Sequence, residues 1–258
     1  MLQKLKSMAR DVRDNARVRA MRGDDFECCS CGAQLKKFLA QGAKFRIFDE
    51  KQIIGSGYRE NNCCPVCWST DRERLALKYV EWANGFLAEY CAILHVAPEP
   101  SIARYLGAHP KINYVRSDYL RPSMSVALDI QILPFQDEVF DLVICNHVLE
   151  HVDDDRKSMR ELRRVLRPGA TAMLQVPLAI DESETHEDKS ITDGKARERH
   201  FGQDDHVRLY GRDYADRIKA AGFALELVDW KMRPDIFGAD AERYGFNPEE
   251  LLYIAKKI

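Results

Sequence analysis

The alternation of short apolar runs with amphipathic segments after residue 90 limits the fold of this chain more than any other feature. Strand-like runs recur seven times, as CAILHVA, INYVRSDY, SVALDI, FDLVICN, TAMLQVPL, ALELVDW and LLYIAKKI. Segments with helical periodicity stand between several of them, as SIARYLGAH, SMRELRRVLRPG and GRDYADRIKAAGF. Strands separated by helices pair in parallel, and a continuous apolar run fits a strand covered on both faces. The pattern predicts a doubly wound, Rossmann-like α/β fold with a seven-stranded, mostly parallel sheet.

The remaining segments predict how the chain is divided. The last two strand-like runs are joined without a clear helix, which predicts an antiparallel edge. A long polar insertion over residues 181–213 follows the fifth run, and loops of this length are usually functional. Residues 71–90 have the apolar spacing of a connecting helix. We therefore expect an α/β domain over residues 91–258, preceded by that helix, a cysteine segment at 26–70 and a basic helix within residues 1–25.

Charge and hydropathy exclude several classes of protein. The formal net charge is −2 at pH 7, so the chain as a whole has no electrostatic reason to coat nucleic acid. No apolar run approaches the ~18 to 20 residues that span a bilayer, and the N-terminus lacks the apolar core of a signal peptide. We expect a cytoplasmic protein. The basic N-terminal segment is typical of a solvated helix, with docking to a protein partner or an acidic surface as the alternative.

Six of the eight cysteines form two tight clusters, ECCSCG and NNCCPVC. In a chain without an export signal, such clusters are typical of metal binding rather than of disulfides. Each contains one C-x-x-C pair, and the predicted ligands of a structural, tetrahedral Zn²⁺ are Cys28, Cys31, Cys64 and Cys67. Cys29 and Cys63 are competing ligands, and buried thiols or an iron–sulfur cluster are the alternatives. Between the clusters, KFRIFDEKQIIGSGY predicts a β-hairpin or a strand with a loop, as in a zinc ribbon.

An ordered series of motifs lies between the third and fifth strand-like runs. It consists of LPFQDEVFD, LEHV and LRPG. These resemble the class I S-adenosylmethionine-dependent methyltransferases, in particular the small-molecule group with LPF-x-D-x-x-FD, LEHV and L-x-PGG motifs. The similarity runs from about Cys91 to the C-terminus, with Ala170 where a second glycine is usual. The resemblance implies S-adenosylmethionine as the cofactor and methyl transfer as the reaction.

In such a fold the cofactor lies across the carboxyl ends of the strands. Asp118 follows the second strand and suits the ribose hydroxyls, because a carboxylate accepts from two adjacent hydroxyls. Asp129 follows the third strand and suits the adenine amino group, with Ile130 packing on the ring. Asn146 and His147 follow the fourth strand and are expected near the sulfonium. The full predicted cofactor set is His95, Ala97, Glu99, Asp118, Tyr119, Asp129, Ile130, Gln131, Asn146 and His147.

The turn after the first strand departs from the family pattern. These methyltransferases usually have D-x-G-x-G-x-G where this chain has HVAPEPS. Glycine permits a positive φ and close approach of the backbone. Here Ala97 is small, the prolines fix φ, and Glu99 can place a carboxylate against the cofactor ammonium. We predict a rebuilt turn that retains binding. A degenerate site is the alternative, and the missing glycines argue against a dinucleotide cofactor.

The insertion at 181–213 is expected to cover the acceptor. In HVRLY, alternation would place His206, Arg208 and Tyr210 on one face of an extended segment. We predict His206 and His151 as catalytic bases, and Arg208 and Tyr210 as substrate-binding residues. A hydrogen-bonded lid without a chemical role is the alternative. In HVLEHV, His147 and His151 would share a helix face, although the resemblance argues against a metal pair there.

The expected acceptor is a hydroxyl, carboxylate or amine of a small molecule or glycan precursor. One alternative is a non-catalytic module that uses the cysteine segment to hold a partner beside a degenerate cofactor site. Another is an RNA or protein methyltransferase in which the cysteine segment grips the substrate. Nucleic acid is not favoured, because basic and aromatic residues are not interleaved.

Overall fold

A computed structural model describes residues 18–84, 91–119 and 126–258 of the chain. The predicted basic helix at residues 1–25 lies largely outside the described residues, and residues 22–25 belong to a strand. In chain order the strands are β1 (Arg22–Glu27), β2 (Gln34–Leu35), β3 (Leu39–Gln41), β4 (Ile53–Ile54), β5 (Arg59–Cys63), β6 (Ala92–Val96), β7 (Asn113–Ser117), β8 (Phe140–Cys145), β9 (Leu166–Met173), β10 (Leu178–Ala179), β11 (His186–Glu187), β12 (Arg208–Leu209), β13 (Phe223–Asp229) and β14 (Leu251–Lys257). The α-helices are α1 (Arg46–Glu50), α2 (Asp71–Asn84), α3 (Pro100–Gly107), α4 (Asp155–Val165), α5 (Gly194–Phe201), α6 (Tyr214–Ala220) and α7 (Pro234–Phe237).

The central sheet has the strand order β13-β14-β9-β8-β6-β7. The four strands from β9 to β7 pair in parallel, whereas β14 is antiparallel to both β9 and β13. The predicted mostly parallel α/β sheet and its antiparallel edge are confirmed. Chain order reverses between β6 and β8, and in open α/β sheets ligands bind beyond the carboxyl ends of strands at this switch point.

The predicted strand SVALDI does not form in the described part of the chain. Val126 makes a single parallel bridge to Ser117, and residues 120–125 lie outside the described ranges. Beyond the bridge the backbone turns, since Asp129 accepts hydrogen bonds from the N–H of Gln131 through its carboxylate and of Ile132 through its carbonyl. A side chain that caps its own turn competes with strand pairing. The described sheet therefore has six strands and not the expected seven.

Each face of the sheet carries its own core, because successive side chains of a strand point to opposite faces. Leu94 and Val143 pack under α4 and α6, whereas their neighbours Ile93 and Ile144 pack under α2 and α3. Both cores are fully covered, which explains the continuous apolar runs of the parallel strands. This frame holds the carboxyl ends of β6 and β8 in fixed positions.

The cysteine segment folds around two small antiparallel pairs, β1 with β2 and β3 with β5. The hairpin predicted for KFRIFDEKQIIGSGY is wrong: it forms α1 and then β4, which pairs with β10 beyond the sheet. The adjacent residues Ile47 and Phe48 are both buried, against Phe201 and Leu209 of the insertion. Burial of adjacent side chains on one side suits a helical turn and not an alternating strand.

Within the described ranges, no helix combines the length and the apolar character that crossing a membrane requires.

Candidate functional site

The turn after β6 reproduces with alanine the backbone geometry that glycine adopts most easily. Ala97 has φ of +46°, in the left-handed region. Its N–H donates to the carbonyl of Ser117 at 2.7 Å, which fixes the turn against the end of β7. Pro100 then occupies the first turn of α3, where no N–H is needed. The turn is thus a rebuilt version of a glycine turn, with the strain of a left-handed alanine.

A chain of polar side chains crosses the switch point. Asn146 Nδ2 donates to Glu99 Oε1 at 2.8 Å, and His95 Nε2 lies 2.5 Å from Glu99 Oε2. His95 is fully buried, and its Nδ1 lies 2.8 Å from the hydroxyl of Tyr114. Burial opposes ionisation of Glu99, but the charge and hydrogen bond of His95, with the Asn146 amide, lower its pKa. The network therefore holds a carboxylate between the carboxyl ends of β6 and β8.

A second carboxyl group, not foreseen from the sequence, lies close to Glu99. The pKa of the Glu73 carboxyl is raised, mainly by burial and also by the negative charge of Glu99. Hydrogen bonds from the N–H groups of Thr70 and Ser101 oppose this shift. Among the described residues, Glu73 Oε1 and Ser101 Oγ are buried without a hydrogen-bond partner. Two carboxyl groups and an unpartnered hydroxyl at one turn fit a ligand with an ammonium group. In the sequence, Thr70 and Glu73 have the spacing of a capping box, and the two residues do exchange the capping hydrogen bonds. This pattern predicts the start of a helix and does not predict that Glu73 lies near the cofactor edge.

The predicted ribose and adenine residues lie further along the same edge. Asp118 is half-buried after β7, and Tyr119 beside it is 72% exposed. Asp129 is exposed and accepts from Gln131 N at 2.8 Å, whereas Ile130 belongs to the core. The side chain predicted to pack on adenine is thus covered by protein.

The loop after β8 carries the predicted floor residues and one of the predicted bases. Residues 147–154 form turns, so the expectation that His147 and His151 share a helix face is wrong. His147 has φ of +54°, and its N–H donates to the carbonyl of Gln175 at 2.7 Å. This hydrogen bond ties the loop to the chain after β9 and sets the direction of the following residues.

The structure brings the two predicted bases together. The rings of His151 and His206 are perpendicular, with centroids 4.6 Å apart. Burial lowers the pKa of both histidines, that of His206 to about 4. The adjacent Glu150 is 1% exposed, and burial raises the pKa of its carboxyl to about 8. Sequence reasoning used Glu150 only as part of the LEHV motif and gave it no role.

Arg208 and Tyr210, predicted to bind substrate, are both buried and engaged by the protein. The Arg208 guanidinium donates to the carbonyls of Leu149 and Val152 at 2.6 Å each, and to that of Asp153 at 3.0 Å. The Tyr210 hydroxyl donates to Asp155 at 2.9 Å. These contacts fasten the insertion to the loop after β8. They support a structural role, and contact of either residue with substrate stays a prediction.

A cavity of about 380 Å³ lies between the cysteine segment and the insertion. Its lining includes Phe45, Phe48, Arg59, Arg72, Glu198 and Gln203. Arg59 forms a two-pronged ion pair with Asp71, at 2.6 and 2.8 Å, and the charge of Arg72 acts on the pKa values of His147 and Glu150. The cavity lining thus combines aromatic walls with the cationic groups of Arg59 and Arg72 and the acidic groups of Glu198 and Asp204.

The four predicted zinc ligands form one cluster. The Sγ atoms of Cys28 and Cys67 are 3.6 Å apart, those of Cys31 and Cys64 are 3.8 Å apart, and all four lie within 4.8 Å of one another. Zinc–sulfur bonds of about 2.3 Å in a tetrahedron separate sulfur atoms by about 3.8 Å, whereas a disulfide needs about 2.05 Å. The donor set therefore fits Zn²⁺.

The two C-x-x-C turns have the same backbone form. Each is followed by a left-handed residue, Gly32 with φ of +70° and Trp68 with φ of +65°. The competing thiols point elsewhere, since Cys29 Sγ donates to the carbonyl of Arg74 and Cys63 Sγ to that of Trp68. These contacts support the preferred four cysteines over Cys29 and Cys63 as ligands.

Comparisons with known proteins found one family match and several similar proteins. The family described as Methyltransferase domain matches residues 84–174. The 2-phytyl-1,4-naphtoquinone methyltransferase of Nostoc punctiforme is 30% identical over 145 residues, 55% of this chain and 57% of that protein. The protein of the same name from Trichormus variabilis has the same identity and coverage. This chain thus spans less than two thirds of the length of these relatives.

The YcgJ protein of Bacillus subtilis is a solved structure similar to this chain. It is 16% identical, with a TM-score of 0.45, over 71% of this chain and 98% of that chain. The family match covers β6 to β9 and both sides of the switch point. Together with the curated relatives, it indicates a methyltransferase domain in this part of the chain.

Proposed function

We propose that the protein transfers a methyl group from S-adenosylmethionine to a small-molecule acceptor. The observation that carries this proposal is the methyltransferase match over residues 84–174, which coincides with the polar network across the switch point. The Ala97 turn supports retained cofactor binding, because it keeps the left-handed geometry that the missing glycines would provide.

In this proposal, the carboxyl ends of β6, β7 and β8 hold the cofactor. Glu99 and Glu73 accept from its ammonium group, Asp118 from the ribose hydroxyls, and Asp129 from the adenine amino group. Asn146 and His147 lie beside the sulfonium. When bound, the cofactor supplies an electrophilic methyl group. The protein needs chiefly to align the acceptor, since holding two reactants in line removes much of the barrier to a displacement.

The acceptor is proposed to enter from the cavity between the cysteine segment and the insertion. Its aromatic and cationic lining suits an apolar molecule with a hydroxyl or carboxylate, and the names of the curated relatives specify a small-molecule substrate. His151 and His206 are neutral near pH 7, because burial lowers the pKa of each, so either is able to accept a proton from an acceptor hydroxyl.

The cysteine segment has a structural part in this proposal. Zn²⁺ on the four thiolates would hold the two C-x-x-C turns together, and the site is closed, since no fifth ligand position is needed. The segment also supplies Phe45 and Phe48 to the cavity wall. In this proposal, the role of the cysteine segment is to form a zinc-supported wall of the acceptor cavity.

The proposal is tested by calorimetric titration of the zinc-replete protein with S-adenosylhomocysteine. We expect micromolar binding, and at least tenfold weaker binding for Asp118→Ala, since hydrogen bonds to a charged group contribute about 1.5–3 kcal/mol. The control is Asp216→Ala, an aspartate on α6 whose side chain is 79% exposed. Absence of binding at millimolar ligand contradicts the proposal and favours a degenerate site.

A further inference from the structure

We propose that Glu150, His151 and His206 form a second metal site, separate from the cysteine cluster, for a divalent transition-metal ion. One ligand atom from each of the three residues lies within 4.8 Å of the other two. Two imidazoles and one carboxylate are a ligand set that zinc, iron(II) and manganese(II) accept. Metal binding here is measured independently of methyl transfer, and only the use given to the ion below rests on the proposed function.

His206 has the hydrogen-bonding pattern of a metal ligand. Its Nδ1 lies 3.0 Å from the carbonyl oxygen of Phe201, and because a carbonyl only accepts, Nδ1 carries the proton. The lone pair of the neutral ring is then on Nε2. That atom is buried and, within the described part of the chain, has no hydrogen-bond partner. A buried lone pair without a donor is costly, and a metal ion would satisfy it.

His151 is held in the same manner. Its Nδ1 lies 3.2 Å from Asp205 Oδ2, so the carboxylate accepts the Nδ1 proton and Nε2 is left as the basic atom. Metal-binding histidines almost always donate their second N–H to a carboxylate or a carbonyl, and this cluster contains one of each. The His151 side chain is 31% exposed, which gives an ion a path from solvent.

Glu150 is the third proposed ligand. It is 1% exposed, and its Oε2 is another buried atom that no donor among the described residues reaches. Its Oε1 lies 3.5 Å from His147 Nδ1, which is itself buried and lacks a hydrogen bond in the described structure. Buried polar atoms without partners are uncommon in a folded protein, and a cation on this cluster would satisfy two of them, Glu150 Oε2 and His206 Nε2.

The position of the site suits an ion that contacts the methyl acceptor. It lies on the loop after β8, beside the cavity and next to the predicted sulfonium floor at Asn146 and His147. A divalent ion there would polarise an acceptor oxygen and orient it. It would also occupy the two nitrogen atoms proposed above as bases, so the base role of His151 and His206 belongs to the metal-free protein.

The test is metal content and Co²⁺ absorption of the full chain. We expect two ions per wild-type chain. Cobalt on the cysteines gives intense thiolate charge-transfer bands, whereas cobalt on imidazole and carboxylate gives only weak d–d bands, so the two sites are counted separately. Cys64→Ser is expected to remove the thiolate bands and leave the second ion.

Variants of the proposed ligands should lose one ion and keep the thiolate bands. His206→Gln and Glu150→Gln change buried ligands directly. His151→Gln changes a more exposed ligand and is therefore less disruptive to folding. Circular dichroism establishes whether each variant is folded. His200→Gln, an exposed histidine of the same insertion, is the matched control and should retain two ions. One ion in the wild type, or two ions in folded ligand variants, overturns the assignment.

Discussion

The cysteine cluster and the histidine–glutamate cluster both bring metal-ligating atoms within 4.8 Å of one another, but the chain builds them differently. The cysteine ligands come from two short turns with nearly the same backbone conformation, both within one segment. The other cluster joins two adjacent residues of the loop after β8 to His206 of the distant insertion. The first cluster can therefore be predicted from C-x-x-C spacing. The second forms only in the folded protein, where Arg208 of the insertion donates hydrogen bonds to the loop after β8.

The largest expected effect is the loss of structure in the cysteine segment when a chelator removes its metal ion. Binding of structural zinc contributes about 10–16 kcal/mol in small zinc domains, and here it would hold a segment with little other secondary structure. Treatment with a strong chelator should abolish hydrogen-exchange protection in residues 26–70. Strands β6 to β9 should keep their protection, because their two cores do not include the cysteine ligands. Unchanged protection at 26–70 would mean that the segment folds without metal.

The second cluster should depend instead on Arg208. Replacement by Met removes the charged donor shared by three carbonyls of the loop after β8, and the buried carbonyl among them, that of Leu149, keeps only the Tyr210 hydroxyl at 3.2 Å. We expect Arg208→Met to lower the free energy of unfolding by about 4 kcal/mol. Urea denaturation measures this. The matched control is Arg212→Met, at an exposed position, which should change it by less than about 0.5 kcal/mol. Equal effects of the two variants would contradict this account of the loop.

A smaller effect concerns pH, and it involves the buried carboxyl of Glu250. Burial and the charge of Asp71 raise the pKa of this carboxyl from 4.5 to about 7. Between these values the folded protein keeps a proton that the unfolded chain releases, so stability is present at low pH and is lost as pH rises. At about 1.4 kcal/mol per pKa unit, the loss is about 3 kcal/mol.

The Glu250→Gln variant should lack this slope in the free energy of unfolding between pH 4.5 and 7, as measured by denaturation at several pH values. Glu249→Gln changes an exposed neighbour and should retain the slope. A Glu250→Gln profile parallel to the wild type would show that the carboxyl is ionised in the folded protein.

Sequence reasoning succeeded where one short segment determines the structure. Continuous apolar runs predicted the parallel strands, because burial on both faces leaves no room for polar alternation. The C-x-x-C pairs predicted the cysteine cluster, since each turn brings its own two thiolates together. The small size of Ala97 predicted a rebuilt turn that retains cofactor binding, and that binding stays a prediction, whereas the left-handed φ of Ala97 was not predicted.

Sequence reasoning failed where tertiary contacts decide. Ile47 and Phe48 form a helical turn because the insertion offers them an apolar surface, which the segment itself does not reveal. The helix expected at His147 does not form, because the φ of His147 is +54°, in the left-handed region. Glu150 is buried by residues far away in the chain, so no local pattern marks it as different from an ordinary surface glutamate.

The two-residue pairing of β4 with β10 has a consequence for how such a protein could change over evolutionary time. It joins the cysteine segment to the chain just before the insertion. These two segments form the two walls of one cavity, so the walls are in contact although they lie far apart in sequence. Exchange of either wall alone would leave apolar residues such as Ile53 without a partner surface. Diversification of the acceptor is therefore expected to proceed by paired changes in the two segments, with the sheet and its cofactor edge left untouched.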